Sequence, residues 1–128
     1  MRDINIYFYT KDTAKADQIS KITVGLGLKS ATLSSSDINK TISELVGMPI
    51  LNPDMAASTN VKAPALWALP EIIIFFGVSD EKLDSFLAEY TKSGLEKIKL
   101  KAIVTPTNLS WTLYYLAEHI REEANRFV

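Results

Sequence analysis

The apolar positions of this chain fall into alternating patterns, runs of strand character followed by stretches with helical spacing. Residues 4–10, INIYFYT, are rich in β-branched and aromatic types and alternate in part, which predicts a strand. Asp12 or Thr13 stands where a helix cap is wanted, and Ile19, Ile22 and Leu26 share one helical face. Gly27 followed by Leu28 has the form of a left-handed helix end with its apolar follower. Residues 29–33, KSATL, predict a short, weak strand, and Ser34 to Ser36 a turn. Ser36 then caps a second helix, with Asp37 in its first turn, a stripe of Ile38, Ile42, Leu45 and Val46, and Gly47 at its end.

After residue 70 the same punctuation returns. Residues 71–77, EIIIFFG, hold the most hydrophobic run, which suits a central strand buried on both faces and, by that token, a parallel one. Ser79 caps the next helix, Asp80 and Glu81 complement its dipole, and Leu83, Phe86, Leu87 and Tyr90 form its stripe up to Gly94 and Leu95. Residues 99–104 alternate, with Leu100, Ala102 and Val104 on one side and Lys99 and Lys101 on the other, as an edge strand would. The turn Thr105-Pro106-Thr107-Asn108 follows, Thr107 or Asn108 capping a last helix whose stripe runs Leu109, Leu113, Leu116, Ala117, Ile120, Ala124, Phe127.

The order is β-α-β-α twice, in halves 1–47 and 71–128 of a single domain, 1–128. Phe8 lines up with Phe75, Ile19 with Phe86 and Gly27 with Gly94, each 67 positions on. Beyond Leu95 the offset becomes 71, so that Ala31 meets Ala102 and the stripe Ile38, Ile42, Leu45, Val46 meets Leu109, Leu113, Leu116, Ala117. The expectation is an internal duplication with the halves related by a pseudo-twofold. The fold class that follows is α/β: a four-stranded parallel sheet in the order 2-1-3-4, with helices on both faces. Right-handed crossovers put the first and fourth helices on one face and the second and third on the other. Between the halves lies a proline-rich connection, residues 48–70, with four of the five prolines and enough apolar residues to argue against a free linker. Its middle, Ala56 to Lys62, is expected to be mobile.

Composition narrows the function without naming it. Fourteen basic residues against fifteen acidic ones give a net charge of -1, with no basic excess for nucleic acid. No run approaches the ~20 apolar residues of a membrane span, and the N-terminus is too short and too polar for a signal peptide. Cysteine is absent, which removes disulfides, thiolate nucleophiles and cysteine-ligated metals and is compatible with the cytoplasm. No cofactor and no metal are expected.

In an all-parallel sheet of this order the ligand crevice lies between strands one and three at their carboxyl ends. There it would be lined by Thr10, Lys11 and Asp12 from one loop and Ser79 and Asp80 from the other. No glycine-rich phosphate loop occurs, and Thr10-Lys11-Asp12-Thr13 lacks the glycine an FMN loop would want. Asp12 and Asp80 both sit at cap positions, and capping is the simpler role for each. His119, the only histidine, falls at the margin of the last stripe and reads as a boundary residue rather than a general base. Trp111 and Tyr115 point away from the buried stripe, beside Glu118 and Glu122. They need a cover, supplied either by the connection through Leu66 and Trp67 or by a partner.

One family resemblance emerges from these residues. Pro70-Glu71, Phe76-Gly77, Ser79-Asp80-Glu81-x-Leu83-Asp84-x-Phe86-Leu87, Leu100-Lys101-Ala102, Thr105-Pro106-Thr107-Asn108 and Ser110-Trp111-Thr112 together resemble the bacterial domain-of-unknown-function family 3783, over about residues 70–120. The first half, with its helix ending Gly47-Met48-Pro49, resembles the variable half of longer members. The resemblance implies a small bacterial, cytoplasmic protein of a family with no assigned activity, so it carries over no functional residues. The expectation is therefore a non-enzymatic binding or protein-interaction protein, its partner an unidentified protein or a second copy of itself in a homodimer. The alternative is a small-ligand or effector-binding domain at the crevice.

Overall fold

The computed structural model describes residues 4–49 and 61–126. The elements are β1 (Ile6–Tyr9), α1 (Thr13–Gly25), β2 (Ser30–Thr32), α2 (Ile42–Val46), β3 (Ile72–Phe75), α3 (Asp80–Lys92), β4 (Leu100–Ile103) and α4 (Leu113–Arg126). Short 3-10 turns at Ser35–Asp37 and Asn108–Ser110 precede α2 and α4. The strands lie in the order β2-β1-β3-β4, as the hydrophobicity of the runs requires.

Strand direction departs from expectation. β1 is parallel to β2 and β3 to β4, but β1 and β3 are antiparallel, so the sheet is mixed. The apolar run of β3 reports that both its faces are covered. It does not encode direction, and the connection 48–70 is long enough to return the chain to either end of the sheet. The layers change with the strands. Ile19 and Ile22 of α1 share one core with Phe86 and Tyr90 of α3, against Ile6, Phe8, Ile73 and Phe75. Ile42, Leu45 and Val46 of α2 share the other with Leu113, Leu116 and Ala117 of α4, against Tyr7, Ile72 and Ile74. Helices one and three therefore lie together, and two and four together, in place of the expected pairs. An antiparallel joint turns the second half end over end in the plane of the sheet, which leaves each helix on the face its counterpart occupies.

Two helices start later than their stripes suggest. Ser36 caps nothing. Ser34 heads the 3-10 turn, its N–H donating to Asp37 Oδ2 at 2.9 Å, and Thr41 caps α2 with Glu44 in reciprocal contact. Neither Thr107 nor Asn108 caps α4. That cap is Thr112, whose Oγ1 accepts from Tyr115 N at 3.1 Å. Asn108 instead locks the Thr105–Asn108 turn, accepting from Thr105 N at 2.9 Å and donating through Nδ2 to Ile103 O at 3.0 Å. Short polar side chains bonded to nearby backbone compete with the first helical turn, and here they win on both occasions.

The joint between the halves is reciprocal. In the antiparallel register Tyr7 faces Ile74, its counterpart 67 positions on, flanked by Ile6 with Phe75 and Phe8 with Ile73. In the helical layer Thr41 bridges Thr112, its counterpart 71 positions on. Ile42 N donates to Trp111 O at 2.8 Å, and Leu113 N to Lys40 O at 2.9 Å. Helices α1 and α3 span matching positions, and Gly27 and Gly94 follow them at φ 73° and 75°.

Part of the connection is ordered against the body. Ala63 N donates to Asn39 Oδ1 at 2.7 Å, Leu69 is buried, and Trp67 stands edge-on to Tyr114 at 4.9 Å. Most of the expected mobile middle, residues 56–60, lies outside the described residues.

Candidate functional site

The antiparallel joint removes the expected crevice. Thr10, Lys11 and Asp12 follow β1, whereas Ser79 and Asp80 follow β3, and those strand termini lie at opposite ends of the sheet. Each loop serves its own helix. Asp12 Oδ1 accepts from Ala14 N at 2.9 Å and Lys15 N at 3.3 Å to cap α1. Ser79 Oγ accepts from Lys82 N at 3.2 Å to cap α3. Lys11 and Asp80 are exposed.

What the joint puts beside Thr10 is the start of β3. Thr10 Oγ1 donates to Glu71 Oε2 at 2.6 Å, and Lys15 Nζ donates to Glu71 Oε1 at 2.9 Å. The side chain of Lys15 is only 7% exposed, that of Glu71 31%. This pair forms one wall of a cleft of about 450 Å³, with Pro70 and Leu100 as its apolar part. Lys97, Lys99, Arg121 and Glu96 complete it, so four cations face two carboxylates. Lys97 and Lys99 are exposed and have no carboxylate partner among the described residues, while Arg121 also reaches Glu118 at 3.2 Å.

The hydrogen bond that Lys15 donates to Glu71 raises the Lys15 pKa above its ordinary 10.5, outweighing the lowering effect of burial. Behind the pair, Tyr90 is pushed above its ordinary 10.0 by burial, and its hydroxyl donates to Glu96 O at 2.6 Å. The sequence carried one overlooked signal. Lys15 stands in the first turn of α1, where the helix dipole disfavours a cation. Such a lysine needs a carboxylate nearby, and Glu71 at the head of β3 supplies it.

Trp111 and Tyr115 are brought together at the start of α4, and Trp67 from the connection packs on the same helix. Trp67 covers Tyr114 and donates through Nε1 to Glu118 Oε1 at 2.9 Å. Trp111 precedes the cap Thr112 in extended conformation and packs edge-on to Tyr115 at 5.0 Å and to His119 at 4.9 Å. Its Nε1 is buried with no hydrogen-bond partner among the described residues. His119 is exposed and pairs with Glu123 at 3.3 Å. In the turn before it, Thr105, Pro106 and Thr107 are exposed and Asn108, Ser110 and Thr112 buried.

Among the described residues no helix is long and apolar enough to cross a membrane, and no cluster of three or more histidines or carboxylates could hold a metal. The fold and cleft together define a mixed α/β protein with a charged cleft at one end of its sheet. Residues 71–127 match the family described as "Domain of unknown function (DUF3783)". No curated protein and no solved structure matches the chain.

Proposed function

We propose that this chain is a non-enzymatic binding protein whose ligand is a small anion, a metabolite bearing phosphate or carboxylate, held in the cleft beside Lys15 and Glu71. The observation that carries this reading is a buried lysine paired with a half-buried glutamate, beside two lysines that have no carboxylate partner among the described residues. The fold itself does not require such a pair. At the other end of the sheet the counterparts of Lys15 and Glu71 are Lys82, which is exposed, and Ile4. Binding suits these groups better than catalysis, because an amine held charged has no free electron pair to act as nucleophile or base.

Thermal unfolding in the presence of phosphate, pyrophosphate and citrate tests this. A ligand at a hundred times its Kd adds about 2.7 kcal/mol. Lys99→Glu should abolish that gain while leaving the unliganded protein within about 0.5 kcal/mol, since Lys99 is exposed. A flat response to phosphates and carboxylates alike would sink the reading.

A second reading, contact with another protein or a second copy, is favoured by the Trp111–Tyr115–His119 row at the start of α4. Light scattering on the wild type and Trp111→Ala decides it. A wild type that remains monomeric at high concentration excludes the homodimer.

We also read the two halves as copies of one ancestral βαβα unit, related by a pseudo-twofold axis normal to the sheet between Tyr7 and Ile74. The reciprocal pairs of the joint and the identical relative register of β1/β2 and β3/β4 support it.

A further inference from the structure

The face covered by α1 and α3 is finished differently in the two halves. Matching positions lie 67 apart up to Leu95 and 71 apart beyond it, so residues 96–99 have no counterpart in the first half. They are fastened in place. Tyr90 Oη donates to Glu96 O at 2.6 Å, and Ile98 is buried in the core. Between this segment, α3 and the sheet lies a pocket of about 200 Å³.

The wall of the pocket is aromatic. Phe75 stands edge-on to Phe86 at 5.5 Å, and Phe86 stacks on Tyr90 at 6.4 Å. The fold does not demand this wall. Phe86 and Tyr90 line up with Ile19 and Thr23 in the first half, where Thr23 turns its hydroxyl to Ile19 O within α1. The Tyr90 hydroxyl is committed to Glu96, so a group that enters meets ring and aliphatic surface. An apolar cavity of roughly 150 Å³ admits benzene. A single ring on a short chain therefore fits here, and ring against ring is favoured edge to face.

The rim is charged. Lys97 and Lys101 both line the pocket, both are exposed, and neither has a carboxylate partner among the described residues. A lysine lays its methylenes along apolar surface and keeps its ammonium at the edge. Two of them at the mouth of one apolar pocket complement an anion carried on an apolar body. A carboxylate beside such a wall gives up less hydration than a doubly charged phosphate.

We propose that the pocket between α3 and residues 96–99 binds a small aromatic carboxylate, its ring against Phe75, Phe86 and Tyr90 and its carboxylate at Lys97 and Lys101. Lys97 also lines the cleft beside Lys15. The pocket has its own second cation and its own apolar wall, so the ligand is held here whether or not the cleft takes an anion.

The test titrates the full chain with phenylpropanoate and follows amide chemical shifts, with acetate and phenylpropanol supplying the carboxylate and the ring separately. Saturable shifts at Thr91, Ile98 and Lys101 are expected, at an affinity about tenfold or more above that of either control. Lys101→Gln should weaken binding about fivefold or more. Lys99→Gln, which alters the cleft alone, should leave it within about twofold. Thr91→Trp, which sets an indole at the mouth from an exposed position, should abolish it. Should Thr91→Trp unfold, the two lysine variants, both at exposed positions, decide. Shifts confined to the cleft around Lys15 and Arg121 would overturn the proposal. So would an alcohol that binds as tightly as the acid, equal losses in Lys101→Gln and Lys99→Gln, or the absence of binding.

Discussion

Thr41 and Thr112 meet as an isolated antiparallel bridge, each standing just before the helix that it caps. Their hydroxyls have different second tasks. Thr41 Oγ1 is shared with the side chain of Glu44, whereas Thr112 Oγ1 donates to the carbonyl of Val61 in the connection. Thr41→Val should therefore cost about 1 kcal/mol, the ordinary loss of a cap. Thr112→Val loses the cap and also strands a carbonyl, which brings the cost to about 2–3 kcal/mol. Urea unfolding of both variants checks the ranking, and equal costs would show that the Val61 contact contributes nothing.

The Lys15–Glu71 pair gives stability a pH limit on the alkaline side. A group whose folded pKa is raised stabilises the fold fully below its unfolded pKa and loses that contribution as pH rises through the folded value. Lys15 and Tyr90 are both raised, so both act in the window that opens near pH 10. Unfolding followed from pH 7 to pH 11 should show stability falling above about pH 10. Lys15→Met, which removes one of the two groups, should flatten that fall and lower stability at neutral pH. A Lys15→Met profile parallel to the wild type would refute this assignment.

Gly27 and Gly94 share a left-handed conformation, and a Cβ at either position would meet nothing within 4 Å. The cost of Gly27→Ala and of Gly94→Ala is therefore conformational strain alone, about 1–2 kcal/mol, and should agree between them. Chemical denaturation of the pair measures it. A large disparity would count against equivalent roles for the two helix ends.

Trp111 is half-buried, between the extremes that its sequence position allows. Truncation to alanine should cost about 2 kcal/mol, less than the 3–5 kcal/mol of a core tryptophan. Trp111→Phe should cost less still, because the indole N–H it removes has no partner among the described residues. If Trp111→Phe proves as damaging as Trp111→Ala, the N–H has an acceptor after all.

Much of the architecture could be read from the chain, because burial leaves a periodic trace. The run at Ile72–Phe75 announced a strand covered on both faces, and the lysines of β4 announced an edge. Gly27, Gly47 and Gly94 marked helix ends that adopt positive φ as expected. Strand direction left no such trace. Ile73 is buried equally well in a parallel or an antiparallel sheet, and only the path of the connection decides. The ligand crevice was inferred from direction and so fell with it. Helix starts were misplaced where Ser34 and Asn108 organise turns of their own, a competition that hydrophobic spacing does not register. No lining residue of the cleft was expected as a site residue, and Thr10, which bonds Glu71 beside it, was expected in the other crevice. Lys15 and Glu71 are 56 positions apart, and their pairing depends on the antiparallel joint.

That joint has a consequence for how the molecule comes apart. β1 and β3 occupy the middle of the sheet, and both core layers continue across them from one half to the other. Neither half can open without exposing the Tyr7–Ile74 seam, so the pairing that joins the two halves also makes them one cooperative unit. Amide protons of Ile6–Tyr9 and Ile72–Phe75, remote in sequence, should exchange together and only with global unfolding. Those of the edge strand β2 should escape much sooner.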